Sequence, residues 1–415
     1  MRPLKRNIAQ KTLKLLDLFP VIAILGPRQS GKTTLAKTLM PTWTYFDLEK
    51  AEHQEKITYD PGFFFEEYPE HIILDEAQSY PELFDTLRGV IDAKRSQKGR
   101  FILTGSSSPL LLKQISESLA GRIAIIELGT LKANEFHETL YSPFYQFFNE
   151  SKNPLTRETL DQLLQGSTPL SYAQLSESWL RGGFPEPTLN TQEFFQFWME
   201  QYRNTYINRD IAKLFPKINR QAYNRFLEIL CQLSGTILNK SEVARAIEVS
   251  EGSVREYLQI IEGTFLWRSL PSFEKNVVKS IVKMPKGHIT DTGLLHYLLR
   301  ISNKDVLFMH PARGHSFETF IIEEIIKGLQ ASFITNWNAY HYRTRDGAEI
   351  DLVLEGNFGV VPIEIKHGSK IDFRKLKTLE SFVVEHKCPL GILINNATHI
   401  EWIRPQIVQI PAGWL

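Results

Sequence analysis

Gly26-Pro27-Arg28-Gln29-Ser30-Gly31-Lys32-Thr33 is a complete G-x-x-x-x-G-K-T sequence, and its reading decides the fold of the first third of the chain. The stretch before it, Phe19 to Leu25 (FPVIAIL), is short, β-rich and apolar, as a strand buried in a parallel sheet must be. After it, Leu35, Ala36 and Leu39 recur at helical spacing. Strand, glycine-rich turn and helix thus stand in the order a phosphate cradle requires. The glycines let successive N–H groups point inward, and the helix adds the positive end of its dipole. Lys32 is expected to reach the β- and γ-phosphates and the Thr33 hydroxyl to hold Mg²⁺, with Gly26 to Thr34 wrapping the phosphates of ATP.

A second acidic signature follows downstream. His71-Ile72-Ile73-Leu74-Asp75-Glu76 is an apolar strand ending in two carboxylates. Asp75 is expected in the Mg²⁺ shell, and Glu76 as the acceptor that orients and polarises the attacking water. Arg100 to Ser108 (RFILTGSSS) is a third buried strand that breaks into small hydroxyl residues. In an open parallel sheet such strand ends face the ligand. Two readings of Thr104 and Ser106 stand side by side: contact with the γ-phosphate or its water, and capping of a helix over Leu110 to Leu119. Arg122, before the strand Ile123 to Leu128, is either a surface salt-bridge partner or a transition-state arginine serving its own or a neighbouring subunit's nucleotide.

GPRQSGKTTL, ILDEAQ, RFILTGSSSPLL and SLAGR together resemble the AAA-type ATPases of bacteria and archaea that carry a C-terminal domain of unknown function. The resemblance covers Gly26 to about Arg122. It implies an ATP-binding α/β domain and makes Arg122 the family's matching arginine. GGFPEP, YINRDI and HITDTGL resemble pieces of the same family's second domain. DEAQ is also similar to superfamily-two helicases, but the other helicase motifs are absent.

The whole chain, 415 residues with 42% hydrophobic and 23% charged positions, has a globular composition and room for about two to four domains. Lys plus Arg (48) nearly balance Asp plus Glu (47), so any DNA-binding surface must be local. Cys231 and Cys388 are far apart, which argues against a disulfide framework and against zinc. The basic N-terminus is not followed by a long apolar run, and no run is long enough for a membrane span, so a cytoplasmic protein is expected.

Further along, Lys5 to Leu18 is predicted as a scaffold helix. The segment from Thr139 to about Leu170 reads as a boundary, and an aromatic-rich helix is expected over about Glu193 to Leu214, with Arg203 and Arg209 read as solvated charges or, alternatively, as residues that sense nucleotide or meet acid groups. Helices over Asn219–Leu233, Ser241–Ile247 and Ser250–Ile261, then strands over Phe265–Phe273 and Asn276–Met284, have the rhythm of a winged helix. Arg255, Lys275, Lys279, Lys283 and Lys286 are candidate phosphate contacts. Glu248, Glu251, Glu256 and Glu262 set negative charge beside them, and a structural or protein-contacting role is the competing reading.

After a linker at Met309 to Gly314, a helix over Phe317–Leu329 precedes strands Ile350–Leu354 and Val360–Lys366. Asp351, twelve intervening residues, and Glu364-x-Lys366 resemble the PD-(D/E)xK nuclease core. This resemblance implies Mg²⁺ or Mn²⁺ bound by Asp351 and Glu364, Lys366 as the catalytic lysine, and Glu318 as an acid from the helix. Against it, the usual proline before the first acid is missing, and a solvent-facing charged strand on a similar fold is the alternative.

The expected class is therefore α/β. A P-loop parallel-sheet ATPase domain (1–140) is followed by a connecting helical segment (141–215), a winged-helix domain (216–305) and a small restriction-endonuclease-like α/β domain (306–415). The function expected is ATP hydrolysis controlling a DNA-binding, DNA-cleaving region. The alternative is a nucleotide-dependent switch for a protein partner with an inactive nuclease-like scaffold. A homo-oligomer is compatible with both.

Overall fold

The computed structural model describes residues 4–106, 115, 117–149, 157–164, 170–212, 215–274, 284–371 and 373–415. These fall into two compact units. The first comprises the described residues of 1–131 together with 184–186 and 258–266, and the second comprises the rest.

In the first unit, helix α1 (Ala9–Leu16) precedes strand β1 (Val21–Gly26), the phosphate-binding loop and helix α2 (Lys32–Leu39). Strand β2 (Thr44–Asp47) leads to helices α3 (Ala51–Tyr59) and α4 (Pro61–Glu67), then to β3 (Ile72–Asp75), α5 (Leu83–Ala93), β4 (Phe101–Ser106) and β5 (Ile123–Glu127). Helix α1 is shorter at both ends than its apolar pattern suggests. Pro61 and Gly62 open α4 because the Asp60 side chain accepts from the Phe63 N–H and proline suits a first helical turn.

The five strands form one parallel sheet in the order β2-β3-β4-β1-β5. Every residue of β1 is buried, which explains its unbroken apolar sequence. The core beside it includes Val21, Leu25, Phe46, Phe64, Leu74, Leu87 and Leu103. Phe46 meets Phe64 and Tyr68 edge to face, with centroids 5.0 and 5.1 Å away. Because β4 lies between β1 and β3, its C-terminal residues stand between the phosphate-binding loop and the carboxylates that end β3.

The second unit holds a small sheet and a large one. Its early helices include α6 (Tyr172–Arg181), α7 (Gln192–Thr205), α8 (Arg220–Gln232) and α9 (Lys240–Ala246); α10 (Glu251–Gly263) is divided between the two units. Helix α7 stops at Thr205 and continues as a π-helical turn, Tyr206–Ile211. The region expected to be a loose boundary contains a 3₁₀ segment, Pro143–Phe148, whose Phe144, Tyr145, Phe147 and Phe148 are buried. Those aromatics mark packing, even though polar residues and proline surround them in sequence.

Asn239, rather than Ser241, caps α9 by accepting from the Ser241 and Glu242 N–H groups. The antiparallel small sheet has the order β6-β8-β7, from β6 (Thr236–Ile237), β7 (Trp267–Leu270) and β8 (Lys286–Ile289). The partner of β7 thus begins after the predicted Asn276–Met284 strand, most of which lies outside the described residues, as do Lys275, Lys279 and Lys283.

Helix α11 (Thr292–Leu298) starts at Asp291, whose carboxylate accepts from the Leu294 N–H and also from the Gly183 N–H at 2.8 Å. Within this unit the G-G and T-D-T-G pieces noted in the sequence therefore meet. The predicted linker at Met309–Gly314 overlaps the ends of helices Lys304–Met309 and α12 (Arg313–Ala331), with residues 310–312 between them.

The large sheet has the order β13-β14-β12-β11-β10-β9. Its strands are β9 (Trp337–Arg343), β10 (Glu349–Gly356), β11 (Gly359–Ile365), β12 (Gly391–Asn395), β13 (Glu401–Arg404) and β14 (Ile407–Pro411), and helix α13 (Phe373–Glu385) separates β11 from β12. Strands β9 to β11 form an antiparallel meander, and β11, β12 and β14 run parallel. The pairing of β10 with β9 slips between Ile350 and Val353, so Asp351 sits in an irregularity of the ladder. Strict strand alternation would put Glu349 and Asp351 on one face, but Asp351 is buried, whereas Glu349 is exposed and paired with Arg343 at 2.8 Å.

Candidate functional site

At the C-terminal end of β1 the backbone turns through Gly31, whose φ of 93° is open to glycine and strained for other residues. A Cβ on Gly26 would lie 2.1 Å from the Leu128 carbonyl oxygen, so no side chain fits there. The loop is braced by Arg6, a buried residue that the sequence reading did not single out. Its Nη1 donates to the Ser30 carbonyl at 2.9 Å and its Nη2 to the Gly129 carbonyl at 2.8 Å. A positively charged residue in a segment read as scaffold gave no signal of this contact.

The Lys32 ammonium is buried and donates to the Gly26 and Pro27 carbonyls at 3.1 and 2.9 Å. Burial pushes its pKa down to about 8, against the opposing pull of Glu76 and Asp75.

Asp75 is the hub of the site. Its carboxylate accepts from the Thr33 hydroxyl at 3.0 and 2.9 Å, from the Tyr45 phenol at 2.6 Å and from the Thr104 hydroxyl. Burial, followed by the bond to Asp75, raises the Tyr45 pKa and keeps the phenol a donor. Tyr45 reaches Asp75 because β2 lies beside β3 in register. Thr33 and Asp75 offer hard oxygen donors side by side, a set that suits Mg²⁺ carried in with a nucleotide.

Glu76 has a left-handed backbone, φ 53°. Its Oε2 accepts from the Gln78 amide at 2.5 Å and from the Ser106 hydroxyl at 3.2 Å. Thr104 and Ser106 thus face the two carboxylates, and the helix they were alternatively expected to cap lies mostly outside the described residues.

Arg122 lies elsewhere in this unit. Its Nε and Nη2 each donate to the Asp92 carboxylate at 2.8 Å. Val21 pairs with Ile123 and Leu25 with Glu127, so Arg122 stands at the N-terminal edge of the sheet. At about 3.3 Å per residue, the length of β1 separates it from the loop after Gly26 by roughly 17 Å.

A second constellation gathers Glu318 from α12, Asp351 from β10, and Glu364 and Lys366 from the end of β11. Lys366 Nζ lies 2.6 Å from Glu364 Oε1 and 3.3 Å from Asp351 Oδ2. The Ile365 N–H donates to Asp351 Oδ2 at 2.8 Å. The structure brings these four residues together and adds a fifth. Lys286, expected to face DNA phosphates, is buried; it is ion-paired to Glu318 and lies 3.8 Å from Asp351 Oδ1.

Glu318 is held low, at about 2, by Lys286 and His315 despite its burial. Burial and the charge of Asp351 push Glu364 up to about 8. Among the described residues, no group of three or more His, Cys, Asp or Glu side chains is arranged to hold a metal ion. The carboxylates expected to bind Mg²⁺ or Mn²⁺ are spanned by ammonium groups, so the residues present do not fit that ion.

On the candidate DNA-facing helix, Arg255 is exposed and bonded to Glu251 at 2.6 Å. Arg203 pairs with Glu228 at 3.1 Å. Among the described residues, no helix is long and apolar enough to cross a membrane.

Three family descriptions match successive parts of the chain. They are an AAA domain over residues 18–137, a domain of unknown function (DUF8612) over 172–305, and a domain of unknown function (DUF4143) over 313–415. The uncharacterised protein Rv2008c of Mycobacterium tuberculosis is 29% identical over 412 residues, covering 98% of this chain and 83% of its own length. The uncharacterised protein MJ1544 of Methanocaldococcus jannaschii is 23% identical over 358 residues, covering 83% and 74%.

Among solved structures, the Walker-type ATPase PABY2304 of Pyrococcus abyssi aligns at a TM-score of 0.43 and 15% identity, over 72% of this chain and 99% of that one. The RuvB Holliday junction branch migration motor of Thermotoga maritima aligns at 0.30 and 15%, over 65% and 90%. The parallel sheet and the glycine-rich loop agree with the AAA match over residues 18–137: this part of the chain is an AAA-type P-loop domain, and residues 313–415 match a C-terminal domain of unknown function.

Proposed function

We propose that the first unit binds ATP with Mg²⁺ and hydrolyses it, and that the bound nucleotide governs the interaction of the remaining chain with a macromolecular partner. The observation that carries the proposal is the convergence of Thr33, Tyr45 and Thr104 on Asp75, with Glu76 beside it. The loop N–H groups and Lys32 bind the phosphates, and Thr33 and Asp75 are the residues that would hold the ion. Magnesium, when bound, neutralises charge on the phosphates.

Glu76 accepts a proton from water as the water oxygen bonds to the γ-phosphorus, while the bond from that phosphorus to the β–γ bridging oxygen breaks and ADP leaves. Ser106 and Gln78 orient the carboxylate for this task. Arg122, at the opposite sheet edge from its own loop, serves a neighbouring subunit's nucleotide. Phosphate release measured on wild type and on Lys32→Ala tests the reading. Equal rates would refute it.

For the C-terminal region the scaffold reading is favoured, because the buried Lys286 ammonium and the partly exposed Lys366 ammonium already pair with the carboxylates that a nuclease would offer to metal. DNA cleavage is the second reading, supported by the convergence of Asp351, Glu364 and Lys366. Incubating the chain with DNA and Mg²⁺ or Mn²⁺ separates the two. Cleavage that Lys366→Ala abolishes selects the nuclease, and intact DNA selects the scaffold. Salt-dependent DNA binding weakened by Arg255→Ala would identify DNA as the partner.

A further inference from the structure

The three acids and two lysines of the second unit form an alternating chain: Glu318, Lys286, Asp351, Lys366, Glu364. Lys286 is 6% exposed, Glu318 8%, Asp351 5% and Glu364 7%, so bulk water does little to screen their charges. Three carboxylates buried together are tolerable only when paired or protonated. Two ammonium groups, Lys286 and Lys366, supply two positive charges to the three carboxylates. His315 adds a partial contribution 3.8 Å from Glu318 Oε2. Each acid of the cluster therefore has an ammonium partner supplied by the chain itself.

Lys286 does not belong to the elements that carry the acids. It is the first residue of β8, in the small sheet with β6 and β7, and its side chain spans the gap between α12 and β10. We infer that Lys286 is the resident counter-ion of Glu318 and Asp351, taking the position a divalent cation would take and closing the cluster to metal. The inference deepens the scaffold reading of the C-terminal region and is independent of ATP hydrolysis. It also accounts for a lysine buried in a strand where a wing would present its charge outward.

The test is calorimetric titration of the full chain with Mn²⁺, without nucleotide. Wild type is expected to show no binding that Asp351→Asn removes. Lys286→Met is expected to gain Mn²⁺ affinity by about tenfold or more, and to lose the gain again when Asp351→Asn is added.

Because Lys286→Met leaves an excess of buried negative charge, its thermal unfolding is followed with and without Mn²⁺, and a metal-dependent rise in Tm counts for the inference. The doubly neutralised Lys286→Gln/Glu318→Gln chain keeps the net charge. If Lys286→Met does not fold, this chain is titrated, and it is expected to bind Mn²⁺ in an Asp351-dependent way through Asp351 and Glu364. Asp351-dependent Mn²⁺ binding by wild type as tight as that of the folded variant overturns the inference. So does a folded variant that gains neither affinity nor stabilisation. Wild-type DNA cleavage would sink the scaffold reading separately, because the Lys286 result is read from binding.

Discussion

A single carboxylate, Asp75, receives three hydroxyl groups from three different segments, and the phosphate-binding site takes its order from that convergence. Tyr45→Phe removes one donor while keeping the ring, which lies under the Lys37 ammonium at 3.3 Å. A hydrogen bond to a charged group contributes about 1.5–3 kcal/mol. Tyr45→Phe is therefore expected to weaken Mg²⁺-dependent ATP turnover by about tenfold or more, measured as a raised Mg²⁺ requirement with the fold intact. A variant identical to wild type would remove Tyr45 from the site.

Lys32, Thr33, Asp75 and Glu76 were legible in the sequence because their chemistry is local: a glycine-rich turn between strand and helix, and acids at a strand end. Tyr45, Arg6 and Lys286 were not, because nothing near them in sequence announces which carboxylate or carbonyl they will meet. Their partners are 24 to 123 positions away, from Arg6–Ser30 to Arg6–Gly129, with Lys286–Asp351 between them at 65.

Elements carry the next layer of specificity. Periodicity gave most strands and helices, but β10 departs from strict alternation at the acid that matters. The shift between Ile350 and Val353 puts Asp351 inside while Glu349 stays out. Such a slip is a property of the ladder, so residue type alone could not reveal it.

Helices α6, α11 and α12 are clamped by another unadvertised network. His296 Nδ1–H donates to the Leu180 carbonyl at 2.9 Å. Its Nε2 accepts from the Ser316 hydroxyl, 2.6 Å away, which itself accepts from Trp179 Nε1–H at 2.9 Å. The Leu180 carbonyl fixes this neutral tautomer, and burial depresses the His296 pKa to about 4.

Since the folded-state pKa lies below the unfolded value of 6.5, His296 is neutral in both states above that pH. As pH falls from 6.5 to 4, only the unfolded chain takes up the proton, and stability drops by about 3 kcal/mol. Urea unfolding across this window should show the loss, and His296→Gln should flatten the slope. An unchanged slope would place the titrating group elsewhere.

At the scale of the whole molecule, the first compact unit was the most legible because one motif-bearing sheet holds its site. The second was less so, because two sheets and several helices combine within one unit. Its buried Lys132–Glu324 pair, 3.1 Å apart, joins residues 192 positions distant. Arg122 also belongs to this scale. Held by Asp92 at the sheet edge opposite its own loop, it is expected to act between subunits. Lys32→Ala and Arg122→Ala chains, each inactive alone, should recover partial ATPase activity when mixed, and wild-type turnover should rise faster than in proportion to protein concentration. No recovery on mixing, with oligomers demonstrably formed, would leave Arg122 as a surface ion-pair partner.

The most direct test of the central claim concerns Glu76, whose carboxylate is assigned to the water and not to nucleotide binding. Binding of ATP and release of phosphate are measured side by side on wild type and Glu76→Gln. The account predicts ATP affinity within a few-fold of wild type and turnover reduced by about 10²–10⁴. Undiminished hydrolysis in Glu76→Gln, or no ATP binding by wild type, would contradict it.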